Sequence, residues 1–387
     1  MIPIKYNIGN LASRRVSTLM SVLGIGVVIA VMLSIMALYS GVRKATISSG
    51  SKDILMVMRE GAEAEISSWV TKEKFDVIRT LPGIEKDSSG QPVVSPETVI
   101  IFKLPKKDDP KGSNVIVRGV TPAAFLIRPQ VKLVAGRMFN TGTNEMIAAR
   151  RISNRFVNTS IGDSFNFGPQ KYTVVGLFDA AGTAFDSEMW MDVGYLAASR
   201  RRVGSYSLVM IKPTDHAAYE SIKTAITSDS RLKLSTRSEY QYYADQTKGL
   251  NGIAFLVAVV TLFMMAGAVL GTMNTMFGAI ASRGREIGTL RALGFSRRSV
   301  LLSMLIESAF VALIGGIAGI VLALPVNMIS TGTTNFQTFS EVAFNFDVNG
   351  TIAMIGIIIA LISGMIGGAI PAIMAAMLPI TRALREI

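Results

Sequence analysis

Cysteine is absent from the 387 residues, and histidine occurs once, as His216. Without cysteine there is no disulfide framework, thiolate nucleophile or thiolate metal site to build. With one histidine, a Ser-His-Asp triad is hard to complete and an H-E-x-x-H zinc site is impossible. His216 follows Pro213-Thr214-Asp215 at an expected helix start, where Asp215 or Thr214 would cap and the imidazole would be solvated. Charged residues are scarce, at 17%. The acidic pair Asp108-Asp109 lies in the Pro/Gly-punctuated run 103–112 (KLPKKDDPKG), an expected exposed loop and solvated charge rather than an acid/base pair. No G-x-x-x-x-G-K-[ST] occurs, nor any other glycine-rich loop between an expected strand and helix. These residues are therefore expected to bind no ATP, no other cofactor and no metal.

Apolar residues are what the chain has in quantity. Half of it is hydrophobic and the mean hydropathy is +0.43, too apolar for a soluble protein of this length. The formal net charge is +12. Ten of the 39 Lys and Arg lie outside residues 43–249, nearly all beside apolar runs. No RNP, zinc-finger or helix-turn-helix pattern accompanies them, so nucleic acid is not an expected partner; membrane lipid is.

Residues 1–15 carry Lys5, Arg14 and Arg15 with Tyr6, Ile8 and Leu11, as either a short amphipathic helix on the inner membrane surface or a plain charged flank. Residues 16–42 are uncharged and long enough to span a bilayer, which needs about 20 residues. The run exceeds a signal-peptide core of about 7–15 residues, so it reads as an uncleaved first span. From 43 to 249 polar residues become frequent and short β-rich runs alternate with turn signals. Strands are expected at 53–58, 93–102, 114–120, 171–178 and 207–211, helices at 64–81 and 216–227, and a strand running into a helix at 145–157. This order implies an α/β domain. A helix from 238 to 282 is too long for the hydrocarbon core, so its start should project as a stalk, with 250–282 as the second span. Spans at 300–330 and 350–380 follow. The short connection 331–349 contains Glu341 and Asp347 but no Lys or Arg, which puts it outside, and the tail 381–387 returns Arg382 and Arg385 to the cytoplasm. Four spans result, both termini inside, with the large domain extracytoplasmic between the first two.

The remaining loop, 283–299, is the pivot. It opens Arg283-Gly284-Arg285-Glu286-Ile287-Gly288-Thr289-Leu290-Arg291-Ala292-Leu293-Gly294-Phe295-Ser296-Arg297-Arg298. Ile287, Leu290 and Leu293 recur every third residue, giving a narrow apolar stripe beside arginines on a short helix. Gly294 should stop that helix and Ser296 cap the next. Arg297 and Arg298 then fall in a first turn, where the helix dipole disfavours cations. The positive-inside bias accounts for them; so would a docking cytosolic partner. Glu307 is the one carboxylate inside a span. It is either functional or an interfacial group paired with Arg298 or Arg297. Gly267/Gly271, Gly315/Gly319 and Gly364/Gly368 each form G-x-x-x-G, which permits close helix packing within the bundle or across a dimer.

Glu286-Ile287-Gly288, Leu290-Arg291-Ala292-Leu293-Gly294, the basic pair and Glu307 together resemble the MacB/FtsX-type permease family of ABC transporters. So do 114–122, Gly136-Arg137-Met138-Phe139, 145–148, Ile161-Gly162-Asp163 and 172–176, in the family's order, and the Pro371, Pro379 and Arg382-Ala383-Leu384-Arg385 tail. The resemblance implies a four-helix membrane protein with a MacB-like porter lobe and a smaller β-rich lobe inserted between about 115 and 205. It implies that the pivot is a coupling helix gripped by an ATPase. Arg283, Arg285, Glu286 and Arg291 would make polar contacts, and Ile287, Leu290 and Leu293 the apolar plug, with Gly288, Ala292 and Gly294 in the same motif. ATP and Mg would be brought by two copies of a separate ATPase subunit, and a second permease copy or paralogue would complete a dimer in the bacterial inner membrane. A periplasmic adaptor and outer-membrane channel would go with export or extraction. An FtsX-like complex that activates a cell-wall hydrolase without transport is the alternative, and a receptor with no ATPase a more distant one.

Overall fold

Each uncharged run becomes a helix in the computed structural model of the chain, which describes residues 15–335 and 338–379. The four are Arg15–Ile47, Asn251–Ala281, Arg297–Ala323 and Gly350–Met377, each long and apolar enough to cross a membrane. The bounds differ from expectation where local chemistry decides. The first helix continues to Ile47 because Gly41-Val42-Arg43-Lys44-Ala45-Thr46 contains no breaker beyond one glycine. The third starts at Arg297 because the Ser296 hydroxyl accepts the Ser299 N–H at 3.2 Å, and it ends in a 3-10 turn, Leu324–Met328, with Pro325 at its start. Asn349 caps the fourth by accepting from the Ile352 N–H. The expected N-terminal segment 1–15, Arg15 apart, and the tail 381–387 lie outside the described residues.

Small residues set the packing of the helical unit. A methyl at Gly315 would sit 2.8 Å from Ile25, and one at Gly319 2.8 Å from the Gly26 carbonyl, so the first and third helices meet along glycines. Gly364 and Gly368 press on Ala312 and Ser308 of the third. Gly267 and Gly271 meet nothing within the described chain. The second span touches the fourth through Gly367, which lies against the Val269 carbonyl and Thr272. The core between the first, third and fourth helices includes Ile29, Met32, Leu33, Val311, Ile352 and Ala360.

The extramembrane unit, Gly41–Asn251 with Ser330–Asn345, is built on one ten-stranded sheet. Its strands lie in the order Leu234–Ser238, Leu55–Arg59, Leu208–Ile211, Val94–Leu104, Ser113–Val120, Glu188–Asp192, Glu145–Ala149, Gln170–Asp179 and Lys132–Gly136, with Ser164–Phe167 also on Gln170–Asp179. Period-two alternation splits the core. Met56 and Met58 face one cluster with Phe102 and Trp190, while Leu55 and Val57 face another with Ile78, Ile222 and Ile226. The sheet thus carries a hydrophobic core on each of its two faces. The eleven-residue strand Val94–Leu104 joins the two halves of the sheet, pairing Leu208–Ile211 through its first part and Ser113–Val120 through the rest.

Two segments depart from expectation. Residues 64–81 do not form one helix but a 3-10 turn, Glu65–Ser67, a short strand, Val70–Thr71, and a helix, Lys72–Ile78. Val70–Thr71 pair with Ser205–Tyr206, a ladder that excludes helical backbone there, and the Ser68 hydroxyl accepts the Arg59 N–H at 2.9 Å. The connection after the third span is not a loop but a hairpin, Ser330–Thr334 with Glu341–Asn345. It joins the extramembrane unit: Lys106 pairs with Glu341 at 2.6 Å, Arg155 pairs with Glu341, and the Ala343 N–H donates to the Ser187 hydroxyl at 2.7 Å.

Candidate functional site

The segment between the second and third spans folds as expected in outline. Its helix runs Gly284–Ala292. Gly294 takes φ +95°, the left-handed region open to glycine, and the Phe295 N–H closes back on the Leu290 carbonyl at 3.2 Å. What the spacing did not separate is which side chains face inward.

Arg283 is buried, and one of its guanidinium nitrogens donates to both oxygens of Glu307, at 3.0 and 2.8 Å. Glu307 is therefore neither lone nor paired with Arg297 or Arg298; it is neutralised by the residue just before the short helix. Ile287 is 2% exposed among Met276, Ile280, Val300, Met304 and Ala372, and Leu290 is half-buried against the same cluster. Gly288 is buried as well. Arg291 donates to the Ala376 carbonyl at 3.1 Å, in the last turn of the fourth helix, where a cation also complements the dipole. Facing outward are Arg285, Glu286, Thr289, Ala292 and Gly294, with Leu293 73% exposed and Arg297 and Arg298 beside it. The expected residues thus divide into an inner set (Arg283, Ile287, Gly288, Leu290, Arg291), which ties the segment to two other helices, and an outer, solvent-exposed set.

A second polar assembly, in the extramembrane unit, was not read from the sequence. Arg118 and Arg128 are fully buried with Glu65, Glu97, Glu188 and Glu239. Arg118 donates to Glu188 at 2.8 Å twice, to Glu65 at 3.0 and 2.9 Å, and to Glu97 at 2.9 Å. Arg128 reaches Glu97 at 2.6 Å and Glu239 at 2.9 Å. Trp190 donates its indole N–H to Glu188 at 2.8 Å, and Phe185 lies under both guanidiniums. Burial pushes the Glu65 carboxyl above the usual range, against the pull of Arg118. Burial opposes ionisation of Glu97 too, but Arg128 and Arg118 together outweigh it and hold that carboxyl below the usual range. The one available signal was Arg118 itself, a charge in the middle of the otherwise apolar strand NVIVRGV.

Residues 18–229 match the MacB-like periplasmic core domain, and residues 258–380 match the FtsX-like permease C-terminal region. The chain belongs to the MacB/FtsX-type family of ABC permeases. The chain is 24% identical over 363 residues to the macrolide export ATP-binding/permease protein MacB of Bradyrhizobium diazoefficiens, covering 86% of this chain and 54% of that one. An uncharacterised ABC transporter permease of Methanocaldococcus jannaschii is 24% identical over 345 residues, covering 83% of this chain and 82% of that one. The chain thus spans about half the length of the MacB relatives it matches and most of this permease. Among solved structures, the periplasmic region of MacB from Actinobacillus actinomycetemcomitans aligns with a TM-score of 0.39 at 12% identity, over 52% of this chain and 95% of that one. A multi-pass membrane protein of the permease type, with an α/β domain between its first two spans, is what family and fold establish together.

Proposed function

We propose that this chain is the permease subunit of an ABC-type complex, driven through its 283–298 segment by a separate ATPase present in two copies that bring ATP and Mg. The carrying observation is the two-sided character of that segment. Its inner side is bonded to the third helix through Arg283 and Glu307 and to the fourth through Arg291 and the Ala376 carbonyl. A displacement imposed on the outer side is therefore passed to both helices at once. In this reading Arg285, Glu286 and Leu293 meet the ATPase, while Arg283 and Ile287 act from within as supports, a division the apolar spacing alone did not give. The positive-inside bias puts the segment and both termini in the cytoplasm and residues 43–249 on the far side of the inner membrane. A second permease copy or a paralogue completes the assembly, and motion reaching the extramembrane unit serves export or extraction of a substrate there.

The absence of cysteine makes the test direct. A single cysteine at Leu293 should cross-link to a co-expressed ATPase. Arg285→Glu combined with Leu293→Glu should abolish co-purification of the ATPase while leaving membrane insertion intact. If the ATPase still co-purifies and its activity still responds to the permease, the assignment fails. Partners recovered with the intact complex separate transport from the signalling alternative: an adaptor and outer-membrane channel in one case, a cell-wall hydrolase in the other.

A further inference from the structure

The long strand Val94–Leu104 leaves a gap where it changes neighbours. Through Glu97 its edge pairs with Leu208–Ile211; beyond that point the next strand, Ser205–Tyr206, turns away to pair with Val70–Thr71 instead. Ser207 bridges the break, its N–H donating to the Glu97 carbonyl at 2.8 Å and its hydroxyl accepting the Val99 N–H at 3.0 Å. A cavity of about 290 Å³ opens there, lined in part by Trp69, Thr98, Arg202, Ser205, Tyr206 and Ser207. The volume is close to the lower end for small-molecule sites, roughly 300 Å³.

Three features specify what would fit. Thr98 is 1% exposed, and its hydroxyl is buried with no hydrogen-bond partner, a state native proteins seldom leave uncompensated. Arg202 is the one charged side chain in the lining and no carboxylate accompanies it there; among the described residues it forms no ion pair with an acidic side chain. Trp69 is 54% exposed and held from one side by Arg59, whose guanidinium carbon lies 4.0 Å from the ring centre. That leaves an indole platform beside several hydroxyls and one cation.

We infer that this cavity is a binding site for an acidic monosaccharide, a sugar ring bearing a carboxylate or phosphate, free or as the terminal unit of a glycan. The ring stacks at Trp69, its hydroxyls exchange hydrogen bonds with Thr98, Ser205 and Tyr206, and the anionic group meets Arg202. The inference is independent of the coupling to an ATPase, since it rests on the extramembrane unit alone.

The chain has two tryptophans, so the full-length Trp190→Phe variant in detergent reports Trp69 emission alone. Glucuronate should change that emission saturably, with glucose, which lacks the charge, and acetate, which lacks the ring, each at least tenfold weaker. Arg202→Ala should weaken glucuronate binding at least tenfold. Thr98→Val, which removes an unpartnered hydroxyl without changing shape, should weaken it several-fold while leaving the unfolding temperature unchanged or raised. Tighter binding of a glucuronate-ended oligosaccharide would identify a glycan terminus, and equal binding the free sugar acid. Equal responses to all three small probes, no response to glucuronate, or unaltered binding in both well-folded variants would overturn the inference.

Discussion

Replacing Arg118 with methionine keeps most of the side-chain volume and removes the charge at the centre of the buried network. Five hydrogen bonds to three carboxylates disappear. Glu97 retains Arg128 and Glu188 retains the Trp190 indole, but Glu65 loses its only cationic partner in the network. Breaking a buried ion pair by removing one member costs about 3–5 kcal/mol, because the remaining charge stays desolvated. For a unit of this size that corresponds to a fall in unfolding temperature of roughly 6–20 °C. The assay is thermal unfolding of the detergent-solubilised chain followed by tryptophan emission, in which Trp190 reports the network directly. Arg137→Met serves as the contrast, since its bond to Glu145 is solvent-exposed and its loss should shift unfolding little. The Arg118→Met deficit should also shrink as the medium is acidified and the stranded carboxylates take up protons. An Arg118 variant that unfolds with the parent at neutral pH would refute the network's role.

The directions of the two carboxyl shifts predict opposite substitutions. Glu65 binds its proton more tightly when folded, so its contribution is full below about pH 4.5 and lost as pH rises through its raised folded value; Glu97 contributes above that pH and loses its contribution as pH falls through its depressed value. At neutral pH, Glu65→Gln should therefore leave stability unchanged or raise it, and Glu97→Gln should lower it, both read from unfolding temperature across pH 4–8. In the helical unit, Glu307→Gln leaves the Arg283 charge buried without its carboxylate, a loss of about 3–5 kcal/mol, visible as reduced detergent stability; Arg283→Met with Glu307→Met should recover most of it. Gly364→Leu should abolish stable folding by collision with Ala312, whereas Gly267→Leu, with no neighbour within 4 Å, should leave the folded chain's unfolding temperature unchanged.

The parts legible in the sequence were those governed by period and by sign of charge. Uncharged runs marked the four spans, and Gly294 and Ser296 marked a helix stop and the next start. Strands with strong β-branched content, such as Val94–Leu104 and Ser113–Val120, stood out, while Lys132–Gly136, exposed throughout, gave no alternation to detect. Facing was harder. Ile287 and Leu293 share an apolar stripe, yet one is buried and the other is not, because only tertiary packing against Met304 and Ala372 distinguishes them. Pairing across long separations was not legible either. Arg283 lies 24 residues from Glu307, and the nearer candidates, Arg297 and Arg298, point elsewhere. The Arg118 network draws carboxylates from four separate elements, and nothing local connects Glu65 with Glu188 or Glu239.

The hairpin Ser330–Thr334/Glu341–Asn345 bears on how this protein can be cut. A soluble fragment taken as the stretch between the first two spans would omit the carboxylate that Lys106 and Arg155 share, and would leave the Ser187 hydroxyl without the amide it accepts. Asn114, which donates to the Phe339 carbonyl at 2.9 Å, and Gln246, which accepts from Asn335 at 2.7 Å, would be stripped as well. Such a fragment would display a raw edge that the intact chain never presents. Supplying residues 330–345 through a flexible linker is the condition for studying this unit in water with its native surface.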